Sequence, residues 1–387
     1  MRRYGPFALI APLFVALLIA FAAPVALVLL RGVTDGELAA VMPQTAAALR
    51  AWDGAGLPPD AVAAATAAEL RAARRAGTLN RVANRLNYDI VGSRSLIFTT
   101  AAKLDEGERV ARQSELAAID PRWASRATWA ALQHASGPTS SFYLWAALDR
   151  RVDADGDVVS VPREQAVFVD ILLRTFKISA VVAALCILLG YPVAYLIASA
   201  PPKLANPLLI IVLLPFWTSA LVRTTAWVVL LQTNGVVNNL VQALGLASAP
   251  LPLLYSRAGV YIAMTHVLLP FFILPLYGVM RSVPPDTMRA ARSLGAGPVA
   301  AFLRIYLPQT APGVIAGAVI VFTLALGYYI TPALVGGGAD QMVSASIAFY
   351  THHSLNWGMA AALSILLVIP LGLALLAGRA ASGWRPL

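Results

Sequence analysis

Charged residues are scarce in this sequence: only 12% of its 387 residues are charged, while 59% are hydrophobic. Because a soluble domain carries about a quarter charged residues, this composition excludes an ordinary soluble fold and indicates a membrane protein. Cysteine is also nearly absent. The single one, Cys186, lies inside an apolar run, so the sequence allows no intrachain disulfide and suggests no Cys/His metal site.

Motifs for catalysis and for cofactor binding are lacking as well. The chain has no Walker motif, no dinucleotide loop and no Ser–His–Asp arrangement, and its four histidines are not spaced as a ligand set. We therefore expect no catalytic residue and no cofactor bound by this chain, so that ATP and magnesium would have to be used by a partner. Four acidic residues resemble a calcium loop, but Val158 stands where that loop needs glycine. A plain Asp-Gly hairpin explains them equally well, and calcium stays an alternative for Asp153, Asp155, Asp157 and Glu164.

Long apolar runs are the main feature that is present. A membrane span needs about 20 apolar residues, and six segments qualify: residues 7–30, 178–202, 204–222, 258–280, 313–334 and 358–378. The first could be a signal peptide, but it is longer than a typical apolar core and lacks a clear cleavage signal, which favours an uncleaved first helix.

The net charge of +10 is unevenly distributed along the chain. Residues 31–169 hold equal numbers of acidic and basic residues, so the excess of basic residues lies around the apolar runs. Membrane topology requires this distribution, whereas a nucleic-acid-binding patch would need the basic residues clustered on a polar domain. If both termini are cytoplasmic, Arg257 is the only basic residue in the short outer loops. The inner segments then hold nine: Arg2, Arg3, Lys203, Arg281, Arg289, Arg292, Arg304, Arg379 and Arg385.

Residues 31–169 are predicted to form an extracytoplasmic insertion between the first and second spans, which gives domains at 1–30, 31–169 and 170–387. Residues 58–77 read as one helix that stops at Gly77, since Asp60 lies near its start and arginines lie near its end. Residues 150–161 read as a hairpin around Asp155 and Gly156.

A polar stretch separates the fourth and fifth spans, and we name residues 281–312 the coupling segment. Pro284 and Pro285 suit the start of a helix, and glycines at 295 and 297 then break it. A second helix is predicted over residues 299–306, with Pro308 ending or kinking it. The arginines of the coupling segment exclude its burial in the membrane. The coupling segment is therefore predicted to be cytoplasmic and able to insert into a groove of another protein.

The coupling segment resembles the signature of permease subunits of binding-protein-dependent ABC importers, which reads Glu-Ala-Ala, three residues, Gly, nine residues, Ile, one residue, Leu-Pro. The chain departs from it at the first position, where Arg289 replaces the glutamate. The matching residues are Ala290, Ala291, Gly295, Ile305, Leu307 and Pro308. The resemblance implies that these seven positions contact the ATPase. Residues 189–199, 221–238, 326–338 and 354–364 also look like segments of the spermidine/putrescine-type branch.

The resemblance implies an all-α membrane protein: six transmembrane helices of the type I ABC importer permease fold, with a mainly helical insertion between helices 1 and 2. It implies a bacterial inner-membrane location in the lipid bilayer. The implied partners are two ATPase subunits, a second and related permease, and an extracytoplasmic solute-binding protein, with no nucleic acid. A polyamine is the implied solute, although an amino-acid-like or other small organic solute stays open.

Candidate pathway residues combine aromatic rings with a few charges, because aromatic faces and carboxylates attract organic cations. The ionisable residue Arg223 interrupts an apolar region and is therefore either a pathway residue or an interfacial arginine. The full set is Trp217, Arg223, Trp227, Tyr328, Tyr329 and Asp340. A stand-alone secondary transporter would show inverted repeats and buried acids, and a sensor would need a large cytoplasmic output domain. None of these features is found in the sequence.

Overall fold

The computed structural model describes residues 5–90, 92–105, 110, 112–153 and 155–381. Arg2, Arg3 and Arg385, on which part of the charge-bias prediction depends, lie outside these residues. The described residues fall into two compact units. One lies within Met1–Val169 and Tyr350–Leu366, and the other within Asp170–Phe349 and Leu367–Leu387. The predicted domain boundaries themselves stay predictions.

The unit that contains the insertion is mainly helical, as predicted. It begins with an apolar helix interrupted by one π-helical turn, Gly5–Leu17, Leu18–Ala22 and Ala23–Leu30. The insertion helices are Glu37–Val41, Pro43–Arg50, Asp60–Arg75, Leu79–Asp89, Ser93–Asp105, Gln113–Ile119, the 3-10 turn Pro121–Ala124, Arg126–His134 and Phe142–Ala147. The helix predicted over residues 58–77 is confirmed, and it stops at Gly77, which has a positive φ of 71°.

The core of the insertion is built around two fully buried tryptophans. The rings of Trp123 and Trp129 lie 5.1 Å apart, and each indole N–H finds an acceptor. Trp123 donates to Thr100 Oγ1 at 2.9 Å, and Trp129 donates to the carbonyl oxygen of Trp123 at 2.8 Å. Because buried indole N–H groups need such partners, these bonds fix how the surrounding helices pack.

A buried ion cluster forms a second fixed point in this unit. The Arg85 guanidinium donates to Asp35 at 2.6 Å and to Asp89 at 2.7 Å, and it lies 3.8 Å from the centre of the Phe142 ring. Burial raises the pKa of the Asp35 and Asp89 carboxyls above their usual value, even though the arginine charge opposes that change. Two buried carboxylates thus share one cation.

The predicted hairpin is confirmed by the antiparallel strands Arg150–Val152 and Val158–Ser160. Asp153 Oδ1 accepts the backbone N–H groups of Asp155 and Asp157, and the Asp155 carboxylate is bound by Arg126 at 2.6 Å. The Asp153 carboxylate therefore binds backbone groups of the hairpin, and the Asp155 carboxylate binds an arginine. Among the described residues, no group of three acidic, His or Cys side chains is placed to hold a metal ion.

Asp149 joins the hairpin to the start of the helix Phe168–Ser199. Its two carboxylate oxygens accept the backbone N–H groups of Val167, Phe168 and Val169 at 2.8 to 3.0 Å. A carboxylate at a helix N-terminus binds unpaired N–H groups and the positive end of the helix dipole. Asp149 therefore caps the helix of the second span.

The second unit consists of helices, which in chain order are Phe168–Ser199, Pro202–Leu213, the 3-10 turn Leu214–Trp217, Ala220–Leu231, Val236–Ala243, Arg257–Ser282, Pro285–Ser293, Pro298–Ala301, the π turn Phe302–Tyr306, Leu307–Leu326, Ile330–Val335, the 3-10 turn Gly338–Asp340, Val343–His352 and Trp357–Ala381. The first and the last two of these also contribute residues to the other unit.

Among the described residues, four helices are long and apolar enough to span a membrane: Ala11–Leu30, Phe168–Ser199, Arg257–Ser282 and Pro298–Leu326. The pair Pro202–Trp217 and Ala220–Ala243 would make a fifth if it counts as one span, and Trp357–Leu373 is a shorter apolar helix. The predicted number of six spans therefore stays a prediction.

The segment predicted as the third span, residues 204–222, is not one continuous helix. The chain bends by 99° between Trp217 and Ala220. The bend has a local cause, because the Ser219 hydroxyl accepts the N–H of Val222 at 3.2 Å and thereby caps a new helix. The predicted fifth span also differs, since its helix ends at Leu326 and a separate short helix begins at Ile330.

Glycines allow the helices Arg257–Ser282 and Pro298–Leu326 to pack closely. A Cβ added at Gly317 would lie 2.8 Å from the Phe272 ring and 2.9 Å from its carbonyl oxygen, and one at Gly313 would lie 3.0 Å from Val279 Cβ. Two glycines four residues apart present a smooth helix face, a common basis of helix contact in membranes. This glycine face fixes the helix that leads out of the coupling segment.

Candidate functional site: the coupling segment and the Arg223 cluster

The first helix of the coupling segment, Pro285–Ser293, forms as predicted. Pro284 is its N-cap and Pro285 its first residue, where a missing N–H costs nothing. Gly295, whose φ is +88°, terminates this helix two residues after Ser293. The Gly295 N–H donates to the Arg292 carbonyl and the Ala296 N–H donates to the Ala291 carbonyl, both at 3.0 Å. This pattern of bonds is a Schellman motif.

The second helix begins at Pro298, with Gly297 as its N-cap, and of the two outcomes predicted at Pro308, an end or a kink, the end is not found. It runs on as one helix, Pro298–Leu326. The chain accommodates the proline by a π turn over Phe302–Tyr306, in which the Leu307 N–H bonds to the carbonyl of Phe302, five residues back. Such a turn absorbs local strain within a helix. The tip of the segment is therefore continuous with a span of 29 residues, about 44 Å long at 1.5 Å per residue.

The signature residues of the coupling segment differ in burial. Ala291 is buried, Ile305 and Leu307 are half-buried, and Ala290 and Pro308 are exposed. Beside them, a nearly fully exposed apolar residue marks the tip, since the Leu294 side chain is 89% exposed. Large apolar residues exposed together favour a protein contact, and the exposed set at the tip is Leu294, Val299 and Leu303.

Arg289, which departs from the family signature, has a carboxylate partner on its own helix. Its guanidinium lies 2.9 Å from Asp286, one turn earlier. Both side chains are at least three-quarters exposed, so the pair adds little to stability. Both charges stay available at the surface.

Four aromatic rings join the base of the coupling segment to the helix Phe168–Ser199. The Tyr195 ring lies 5.7 Å from Phe302 and 5.4 Å from Tyr306, and Tyr191 lies 6.0 Å from Phe302, all edge to face. The Tyr191 hydroxyl also forms a hydrogen bond with Thr310 Oγ1 at 3.0 Å. We name Tyr191, Tyr195, Phe302 and Tyr306 the aromatic clamp. The sequence analysis missed it, although each pair is spaced four residues apart.

The predicted pathway residues Arg223, Trp227 and Tyr328 lie in one neighbourhood, together with His266, which the sequence analysis did not select. The Trp227 indole N–H donates to His266 Nδ1 at 3.2 Å, and Arg223 lies near both His266 and Tyr328. We name these four residues the Arg223 cluster. Next to Arg223, Thr224 shares a buried hydrogen bond of 3.0 Å with Thr331, which ties two helices together.

The other three predicted pathway residues are placed differently. Asp340 is buried and bound by Arg257 at 2.8 Å, while Trp217 is 89% exposed and Tyr329 is 46% exposed. Within the described part of the chain, Arg223 Nε is buried without a hydrogen-bond partner. The Arg223 cluster is thus cationic and aromatic, and the acidic residue predicted for it is engaged elsewhere. The roles predicted from sequence for these residues and for the coupling segment stay predictions.

Comparison with known proteins gives a consistent result for the C-terminal half of the chain. The family described as "Binding-protein-dependent transport system inner membrane component" matches residues 187–383. The spermidine/putrescine transport system permease protein PotB of Escherichia coli (strain K12) is 33% identical over 209 residues, which are 54% of this chain and 76% of that protein.

Two further similarities were found. The molybdenum transport system permease protein ModB of Mycobacterium bovis (strain ATCC BAA-935 / AF2122/97) is 31% identical over 207 residues, covering 53% of this chain and 76% of that protein. A crystal structure of a bacterial alginate ABC transporter in complex with alginate pentasaccharide-bound periplasmic protein has 20% identity and a TM-score of 0.44. It covers 56% of this chain and 78% of its own.

Proposed function

This chain belongs to the family of inner-membrane components of binding-protein-dependent transport systems, the permeases of ABC importers, and we propose that it forms half of a polyamine pathway driven by partner ATPases. The observation that carries the proposal is the exposed helix–turn–helix of the coupling segment, which presents the signature residues beside an apolar tip centred on Leu294. In this proposal both termini and the coupling segment are cytoplasmic. The chain itself hydrolyses no ATP.

The proposed mechanism is a lever. Each of two ATPase subunits receives one coupling segment in a surface cleft, one from this chain and one from a related second permease. When the ATPases close, they move the tip around Leu294. The motion passes directly into the helix Pro298–Leu326, because helix and tip are continuous, and through the aromatic clamp into the helix Phe168–Ser199. The spans then change from inward-open to outward-open.

We propose a polyamine such as putrescine or spermidine as the solute, and the names of relatives such as PotB support it. A polyamine is a polycation, so its recognition depends on how many carboxylates are available near the pathway. Of the three acidic residues described in the second unit, Asp286 and Asp340 are paired with arginines, and Asp170 is exposed at the start of the helix Phe168–Ser199. Recognition of the cation would therefore depend on aromatic faces and on a loaded extracytoplasmic binding protein.

A second solute class is favoured by one specific observation. Arg223 lies in the cluster of aromatic residues with its Nε unpaired among the described residues. A buried donor of this kind suits a carboxylate, so an amino-acid-like or other small organic acid is the alternative solute.

Co-purification and uptake test the proposal in sequence. The tagged chain, extracted from its native membrane, is expected to carry an ATPase and a second permease with it, whereas a chain that is active alone would support a secondary transporter. The complex is then reconstituted with its binding protein and given labelled putrescine or a labelled amino acid. ATP-dependent putrescine uptake supports the polyamine assignment, and uptake of the amino acid alone contradicts it.

A further inference from the structure

A cavity of about 1200 Å³ lies in the unit that contains the insertion, and neither the coupling segment nor the Arg223 cluster contributes to it. Three parts of that unit form its walls. They are the end of the first apolar helix with the residues that follow it up to Ala40, the helix Leu79–Asp89 together with Arg94 at the start of the next helix, and the turn that precedes the helix Trp357–Ala381. The cavity therefore lies where two apolar helices end.

The polar wall of the cavity carries excess positive charge. Arg81 is neutralised by Glu37 at 2.7 Å. Arg31 and Arg94 also line the cavity, both are exposed, and within the described residues neither forms an ion pair. The amides of Asn80 and Asn84, one helical turn apart, add hydrogen-bond donors between them. This wall suits a phosphate group, since arginine and amide donors are the usual partners of phosphate oxygens.

The remaining wall is apolar. The Leu27 and Trp357 side chains are 65% and 46% exposed, and Leu355 is 67% exposed. Leu355 also has a positive φ of 52°, a backbone conformation that is costly for a large residue. The strained turn thus holds an apolar side chain in the open at the edge of an arginine-lined cavity.

The first apolar helix continues this apolar wall along the membrane. In the span Ala11–Leu30, none of the residues in the apolar window is buried inside the chain, so its surface is free to contact acyl chains. Tryptophan near a helix end, as at Trp357, is typical of the level of lipid headgroups.

From this arrangement we propose that the cavity binds an anionic glycerophospholipid, whose phosphate contacts Arg31 and Arg94 and whose acyl chains lie along the helix Ala11–Leu30. An amphiphile fits because charge and apolar surface meet in one cavity. A free phosphate ester would use only the polar wall.

The test uses the full chain purified in detergent and exchanged into mixtures of phosphatidylglycerol and phosphatidylcholine, with bound lipid counted by native mass spectrometry. We expect phosphatidylglycerol to be retained preferentially. Each of the variants Arg31→Gln and Arg94→Gln should lower its retention about fivefold, and the double variant about 25-fold, because a basic residue near anionic lipid is worth about a factor of five. Arg50→Gln is the matched control, since Arg50 is also exposed but does not line the cavity.

Three results would overturn the proposal. The first is equal retention of the two lipids, and the second is a loss in Arg50→Gln as large as in Arg31→Gln. The third is a competition result, in which added glycerol 3-phosphate displaces bound phosphatidylglycerol as effectively as added phosphatidylglycerol does. In that case the site takes a free phosphate ester, and the acyl chains contribute nothing to binding. Restored retention in Arg31→Lys would support the charge-based account.

Discussion

Replacing Gly295 with proline is expected to abolish transport while the chain still inserts into the membrane. Gly295 has φ = +88° and donates its N–H to the Arg292 carbonyl. Proline fixes φ near −65° and has no N–H, which costs about 3 kcal/mol or more where the helix or turn needs both. The turn between the two coupling helices would therefore be rebuilt, and the Leu294 tip displaced.

Alanine at the same position gives a graded version of the test. The side chain itself meets no obstacle, because an added Cβ at Gly295 has nothing within 4 Å. The cost then comes only from the left-handed backbone, about 1–2 kcal/mol, which lowers the equilibrium ratio of intact to rebuilt turn about 5- to 30-fold. Transport by Gly295→Ala should be reduced and should recover at lower temperature.

Gly297 supplies a matched control two residues away. It too has open space around an added Cβ, but its φ is −63°, which alanine adopts readily. Gly297→Ala should therefore lose much less transport than Gly295→Ala, since alanine only makes a weaker N-cap there. The assay is ATP-dependent uptake by proteoliposomes that contain the assembled complex, together with the ATPase activity that the loaded binding protein stimulates. Normal uptake in Gly295→Pro, or equal damage in Gly297→Ala and Gly295→Ala, would refute the reasoning.

Three further predictions concern stability, each measured by thermal unfolding of the full chain in detergent. Gly317→Ala should cost about 1–3 kcal/mol because its Cβ meets Phe272, whereas Gly278→Ala, with open space around it, should cost nothing; equal losses would contradict the close-packing account. Asp149→Ala should cost about 1–2 kcal/mol by uncapping the second span, with Asp149→Asn losing less, and an unchanged midpoint would contradict the cap. Burial raises the pKa of Asp35 in the folded chain, so the folded chain binds this proton more tightly than the unfolded chain does. The stability of the unaltered chain relative to Asp35→Asn should therefore rise as the pH falls from neutral, and a pH-independent difference would contradict this.

Much of the fold follows from local sequence patterns. Apolar run length predicts the spans around residues 168–199 and 257–282 because a lipid-facing helix must be apolar for its whole length. The helix Asp60–Arg75 and its stop at Gly77 follow from alanine content and from the conformation that only glycine adopts easily. Such features depend on neighbours within a few residues.

The features that sequence did not predict depend on atoms brought from far along the chain. The cap of the second span comes from Asp149, which lies 18 to 20 residues before the N–H groups it binds. The cluster of Arg85 joins carboxylates 50 residues before it and 4 residues after it. No periodicity in the sequence marks such pairs, although a basic residue inside an apolar helix face hints at a buried partner.

Two local signals in the sequence bear on features that the sequence analysis did not fully predict. Ser219 followed by an apolar run is a helix N-cap pattern, and it explains the 99° bend that interrupts the predicted third span. Pro308 was expected to end or kink the helix, and a π turn carries the helix through it. In the coupling segment the motif spacing located the site, but its mechanical continuity with Pro298–Leu326 is visible only in three dimensions.

Cross-linking from the tip of the coupling segment tests the central claim most directly. The only native cysteine, Cys186, is buried, so Leu294→Cys places one accessible thiol for a photoreactive maleimide at an 89% exposed position. Tyr255→Cys is the control, because Tyr255 is 66% exposed and precedes the opposite end of the helix Arg257–Ser282, about 39 Å away along that helix. The account predicts a cross-link to an ATPase subunit from position 294 and none from position 255; a cross-link from 255 alone, or none from 294 in the assembled complex, would contradict it.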